Sequence, residues 1–183
     1  IGIDIEENDP KIKKLLEEVK DREFIGYSYD GADASFELLA RRAMGEIPRY
    51  ISINQYDVSV TKNENNEIIS KAKANLEVDG EKIICVGEGN GPVHALDNAI
   101  RNNVDKLEKY AEYLKDLKLV DYKVRILNTG TEAVTRVSIE STDSKGENWF
   151  TIGVSANIID ASFKALIDSL DYKLFKDKAP ASL

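Results

Sequence analysis

The chain has 183 residues, 42% of them hydrophobic and 32% charged, a composition that suits one soluble globular domain with or without a small appendage. The formal net charge of −8 and the lack of clustered Lys and Arg exclude a phosphate-backbone or anionic-membrane partner, and no apolar run nears the roughly 18 residues of a membrane span. One cysteine, Cys85, leaves no internal disulfide framework, and one histidine, His94, excludes a multi-histidine zinc site. The first residue is Ile1 rather than Met, which suggests a piece of a longer protein. No secretion signal opens it, so a reducing, cytoplasmic setting is expected.

Asp9-Pro10 is a helix start, with a capping residue before Pro at the first helical position. Ile12, Leu15, Leu16 and Val19 then recur at helical spacing against a face of Lys and Glu. A second helix is predicted after Asp30, carrying Phe36, Leu39 and Ala43, with Arg41 and Arg42 near its C-terminal end and Gly45 and Pro48 closing it. Residues 1–46 thus read as a short helical linker subdomain. From Pro48 the period changes to two: Ile51, Ile53, Tyr56, Val58 and Val60 alternate with polar residues. Asn63 to Asn66 is a turn, a second strand runs from about Ile68 to Val78, and Asp79-Gly80 signals a hairpin. A third strand, Ile83 to Val86, leads through Gly87-Glu88-Gly89-Asn90-Gly91-Pro92 into a long helix reaching about Lys115.

The pattern then recurs 66 positions on. Tyr56 matches Tyr122, Val58 matches Val124, Gly80 matches Gly146, Gly87 matches Gly153, Ala95 matches Ala161 and Ala99 matches Ala165. Strands are predicted over about Tyr122 to Leu127, Ala133 to Glu140 and Trp149 to Ile152, and a final helix follows. The fold class is therefore α+β: two βββα units in an internal pseudo-two-fold repeat, about 48–117 and 118–183, forming a domain over 47–183. Sheets covered by one helix each leave edges and a face for a partner; duplication that only built a stable core is the plainer reading.

The glycine-rich segment before the helix exposes helix N-terminal amides that suit an anion. No Gly-Lys-[Ser/Thr] follows, and Pro92 stands where a dinucleotide fingerprint needs glycine. A single carboxylate fits better than a polyphosphate, with Glu88 available to an ammonium group; a tight corner with no ligand is the alternative. Gly153-Val154-Ser155-Ala156-Asn157 resembles a nucleophile elbow but lacks its last glycine, and the only histidine precedes the serine. Ser155 reads instead as the N-cap of the final helix, Cys85 as a small core residue, and His94 as a capping or surface residue. Leu107, Tyr110 and Leu114 share one helix face, either core or the wall of a ligand or partner site.

Gly87 to Ile100 (GEGNGPVHALDNAI) resembles the Gly-Asn-Gly-Pro signature of the C-terminal regulatory domain of the 2-isopropylmalate, homocitrate and citramalate synthase family. Asp121 to Leu127 and Thr151 to Leu174 are closer to the citramalate branch, and Gly26 to Arg42 is similar to the family's helical linker. The resemblance implies a parent acyltransferase that condenses acetyl-CoA with a 2-oxo acid on a barrel holding a divalent metal through a His-x-His pair. No such pair occurs here, so this chain alone is expected to be inert for condensation and to carry no cofactor. The partners implied are a second copy in a homodimer, the catalytic barrel of the same parent chain, and a small-molecule effector: isoleucine in the citramalate branch, leucine in the isopropylmalate branch. The effector positions implied are Gly89, Asn90, Gly91, Pro92 and Ala95, with Ser155, Ala156, Asn157, Ile158 and Ala161 as counterparts; His94 departs from the more usual Asp or Asn. An apolar pocket near Leu107, Tyr110, Leu114 and Val124 would take the branched side chain. A dimerisation module without ligand, another amino-acid sensor fold and a stand-alone enzyme are the competing readings.

Overall fold

The computed structural model describes residues 10–127 and 133–182. Two compact units emerge, one from residues 1–48 with 118–172, the other from 49–117 with 173–183. The two helices read as a linker fall in the same unit as the second βββα repeat. Asp9, expected as a cap, lies outside the described residues.

In the first unit, α1 (Pro10–Phe24) and α2 (Asp33–Met44) pack through Leu15, Leu39 and Ala40, with Val19, Tyr29, Ala43 and Met44 at the margin. Gly45 ends α2 as expected, in the left-handed region at φ 77°, where the amides of Gly45 and Glu46 satisfy the carbonyls of Arg42 and Arg41. Strands β4 (Lys118–Ile126), β5 (Thr135–Thr142) and β6 (Asn148–Ser155) form an antiparallel sheet in that order. Helix α5 (Ile158–Lys176) follows. Thr135, Val137, Ile139 and Ser141 alternate as the buried side of β5. α2 packs against β6, where Ile152 and Val154 are also buried. Ser35 fixes that contact: its Oγ accepts from the Ile152 amide at 2.9 Å and donates to Asp168 Oδ2 at 3.1 Å.

In the second unit, β1 (Ser52–Lys62), β2 (Ile68–Val78) and β3 (Glu81–Gly89) form the matching antiparallel sheet. α3 (Pro92–Arg101) lies on it, and a 3-10 turn (Val104–Leu107) leads into α4 (Glu108–Leu114). Ser70, Ala72, Ala74, Leu76 and Val78 form the buried side of β2. Asn63 organises the β1–β2 turn by accepting the amides of Asn65 and Glu67 on its side-chain oxygen. Lys173, 1% exposed, holds its charge between Asp177 at 2.9 Å and Asp116 at 3.4 Å.

The single long helix expected from Pro92 to about Lys115 is instead broken. Asn103 donates from its side-chain amide to the carbonyls of Val86 and Ala99, at 2.9 and 2.8 Å. A side chain that bonds backbone carbonyls offers the chain an alternative to the helical ladder, and the helix stops at Arg101. The hairpin signal holds: Asp79 and Gly80 take φ of 53° and 78°, and Gly146 matches at 76°. An added Cβ at Gly80 would meet nothing within 4 Å, so only backbone strain opposes it. Gly80→Ala should therefore cost about 1 kcal/mol, read as a lower urea midpoint at unchanged slope.

Candidate functional site

The glycine-rich segment is divided differently from the sequence-based expectation. β3 continues through Gly89, where Gly87 pairs with Ala72 and Gly89 with Ser70, leaving only Asn90 and Gly91 as the turn. The pleat sends Gly87 and Gly89 toward α3. A Cβ on Gly87 would lie 2.2 Å from the Ala99 nitrogen and 2.6 Å from the Ala95 carbonyl oxygen; one on Gly89 would lie 2.6 Å from the Ala95 nitrogen. Both glycines, with buried Ala95 and Ala99, form a seam where helix backbone meets strand backbone. Gly153 repeats it beneath Ala161 and Ala165, with Cβ contacts of 2.0 and 2.9 Å. The spacing of the repeat thus records packing.

Glu88 alternates away from that seam. Its carboxylate pairs with Lys71 at 2.9 Å on the opposite side of the sheet, so it does not join the turn amides as an ammonium partner. Gly91 is the N-cap of α3, in extended backbone, and a Cβ there would meet open space. Pro92 supplies the first helical position without an N–H to satisfy. His94 accepts the Asn90 amide on Nδ1 at 3.3 Å, and Asn98 donates to the Glu88 carbonyl at 2.8 Å; together they fix the turn. His94 is thus the capping residue its position suggested. Behind the turn, burial pushes the Asp97 carboxyl above its usual range, while the Arg101 guanidinium bonded to it and His94 oppose that shift.

Leu107, Tyr110 and Leu114 are 1, 0 and 2% exposed. Tyr50 meets the Tyr110 ring edge-on at 6.0 Å, and the Tyr110 hydroxyl donates to the Pro180 carbonyl at 3.0 Å. The three side chains are core of the second unit here. Cys85, at 0% exposure, is the core residue expected.

The counterpart turn lies in the first unit. Asn157, not Ser155, caps α5: its Oδ1 accepts the amides of Ile159 and Asp160 at 2.8 and 3.4 Å. Ser155 Oγ accepts the Asn157 amide, which positions the cap. The cap moves two residues on because the β6 ladder still claims Ser155, opposite Thr135. Ala156, Asn157 and Ile158 are exposed, Ala161 is buried in the seam, and Val124 lies exposed on β4. The Tyr122 hydroxyl shares a hydrogen bond with Ser162, itself bonded to the Ile158 carbonyl.

One cluster escaped the sequence-based reading. Arg42, read there only as a cation suited to a helix end, reaches Asp168 Oδ1 at 2.9 Å and Asp171 Oδ2 at 2.7 Å. Burial pushes the Asp171 carboxyl up to about 7 against the pull of Arg42, with Asp168 adding to the rise. The partners lie 126 and 129 residues away, and no local spacing signals them.

Residues 30–174 match the family described as the LeuA allosteric (dimerisation) domain. The chain belongs to that family, a class of regulatory and dimer-forming modules. Within it, the chain is 44% identical over 180 residues to the (R)-citramalate synthase of Aquifex aeolicus and 45% identical over 180 residues to that of Geobacter sulfurreducens, in each case over 97% of this chain and 33% of the relative. The 2-isopropylmalate synthase of Clostridium acetobutylicum is more distant, 36% identical over 106 residues, which are 57% of this chain and 17% of that protein. The chain thus spans about a third of the length of these curated citramalate synthases.

Proposed function

We propose that this chain is the feedback-sensing part of a citramalate synthase, an acyltransferase that joins acetyl-CoA to pyruvate on a catalytic barrel outside this sequence, and that its effector is isoleucine. The carrying observation is the near-complete match to citramalate synthases with the isopropylmalate synthases further away. The family's description as a dimerisation domain supports a homodimer. The effector's carboxylate is taken up at the start of α3, where the Asn90-Gly91 turn leaves open space and the first-turn amides have no intrahelical partner.

Gly91→Asp tests this cleanly. The position is extended and unobstructed, and Asp is a better helix cap than Gly. The variant should keep or slightly raise its melting temperature while losing isoleucine binding in calorimetric titration, because its carboxylate would occupy the effector's place. Wild-type affinity in Gly91→Asp would sink the assignment of this turn. Saturable binding of leucine in place of isoleucine would move the chain to the isopropylmalate branch, and binding of neither would leave dimerisation as the role.

A further inference from the structure

Arg125 on β4 and Arg136 on β5 are directly opposed in the sheet register. Like charges at such positions repel, and the Arg136 guanidinium is held below its usual range by burial and by Arg125. Arg136 is anchored, its Nε donating to the Gly26 carbonyl at 2.7 Å. Arg125 has no carboxylate within ion-pairing distance among the described residues. The alternation that puts Gly153 toward α5 puts these two arginines, with Lys123 and Ser138, on the other side of the sheet. There they border a cavity of about 450 Å³, closed by Ser28, Asp30, Gly31 and Ala32 of the loop before α2 and floored by Ile152.

Two guanidiniums forced side by side are stabilised by an anion that bridges them. Each presents a planar fork that matches a carboxylate. The volume suits a small organic molecule, and the aliphatic stems of exposed Lys123 and Arg125 on its lining give the ligand's carbon atoms an apolar surface that inorganic phosphate would not use. Asp30 at the rim disfavours a more highly charged ligand. We infer that this cavity binds a short-chain dicarboxylate, one carboxylate on each of Arg125 and Arg136. Among the positions tied to the amino-acid effector, only Val124 borders it, so this site stands or falls separately from that reading.

The experiment is titration of this chain and of Arg125→Gln with succinate, inorganic phosphate and isoleucine at low ionic strength, alongside thermal melts without ligand. Arg125 is exposed and unpaired among the described residues, so Arg125→Gln should fold and melt at the same temperature or higher, since the repulsion is gone. Succinate should bind the wild type saturably and bind the variant at least 10-fold more weakly, with any isoleucine affinity the same in both. No succinate binding, equal succinate affinity in the two proteins, or binding of phosphate in place of succinate would each overturn the assignment.

Discussion

Gly153→Ala should destabilise the chain by about 3 kcal/mol, roughly 10 °C in Tm, and Gly87→Ala should cost a similar amount. The added methyl carbon at position 153 would sit 2.0 Å from the Ala161 carbonyl oxygen; at position 87 it would sit 2.2 Å from the Ala99 nitrogen. In both places the obstacle is helix backbone, so no rotamer change relieves it and the helix must lift from the sheet. Lifting it separates buried Ala95 and Ala99, or Ala161 and Ala165, from the strand. Gly146→Ala is the control. Its φ of 76° is unfavourable to alanine, but nothing lies within 4 Å, so its loss should stay near 1 kcal/mol. Thermal melts of the three variants check the ranking, and a Gly153→Ala protein no less stable than Gly146→Ala would refute the seam.

Arg42→Leu should cost about 3 kcal/mol at pH 8 and much less at pH 5. Removing the guanidinium strands two carboxylates that are only 18 and 14% exposed, and breaking such a pair leaves uncompensated charge. Arg42 itself is 37% exposed, so solvent screening keeps the figure at the low end of the range for buried pairs. The pH dependence follows from Asp171. Its carboxyl titrates near 7 in the folded state against the ordinary 3.8, so between those values the folded protein holds a proton that the unfolded chain has released. Stability from this group is present below the unfolded value and is lost as pH rises toward 7. Without Arg42 the carboxyl rises further, and acid restores the variant by neutralising it. Asp171→Asn keeps an acceptor for Arg42 and removes the titration, so it should flatten the wild-type profile over pH 4 to 7. Urea unfolding across that range, on wild type and both variants, tests the set; an Arg42→Leu penalty independent of pH would show that Asp171 is not the titrating group.

Much of the fold was legible because its signals are local. Gly45 ends α2 through its own φ, and Asp79-Gly80 turns a hairpin because both positions take positive φ. The period-two run from Ile51 to Val60 does form β1, but Ile53 and Val60 are exposed, so the alternation located the strand and not a buried side. The helix break at Asn102 was not legible, because Asn103 is recruited by the Val86 carbonyl, 17 residues back. The glycine-rich segment was misdivided for a related reason. A glycine in a turn and a glycine beneath a helix are the same letter, and only the Ala95 and Ala99 backbone above them tells the two apart. At the candidate site, the open Gly91 turn lay where the motif placed it. Leu107, Tyr110 and Leu114 are all buried, but the 3-10 turn takes Leu107 off the helix they were expected to share, and the surroundings of Tyr110 depended on Tyr50 and Pro180 from distant parts of the chain.

The glycine–alanine seams also bear on how the two halves of a duplicated chain can drift apart. Backbone resting on backbone offers no graded replacement, because the smallest side chain is already too large. Gly87 with Gly153, and Ala95 and Ala99 with Ala161 and Ala165, are therefore alike in both copies, whatever each half goes on to do, whereas Gly89 has Ser155 as its counterpart, so the seam rests on two glycines in the first copy and on one in the second. Positions between them carry no such restraint, as Glu88 against Val154 and His94 against Asp160 illustrate. Each copy can thus acquire its own chemistry on a shared frame, and new specificity in one half need not be matched in the other.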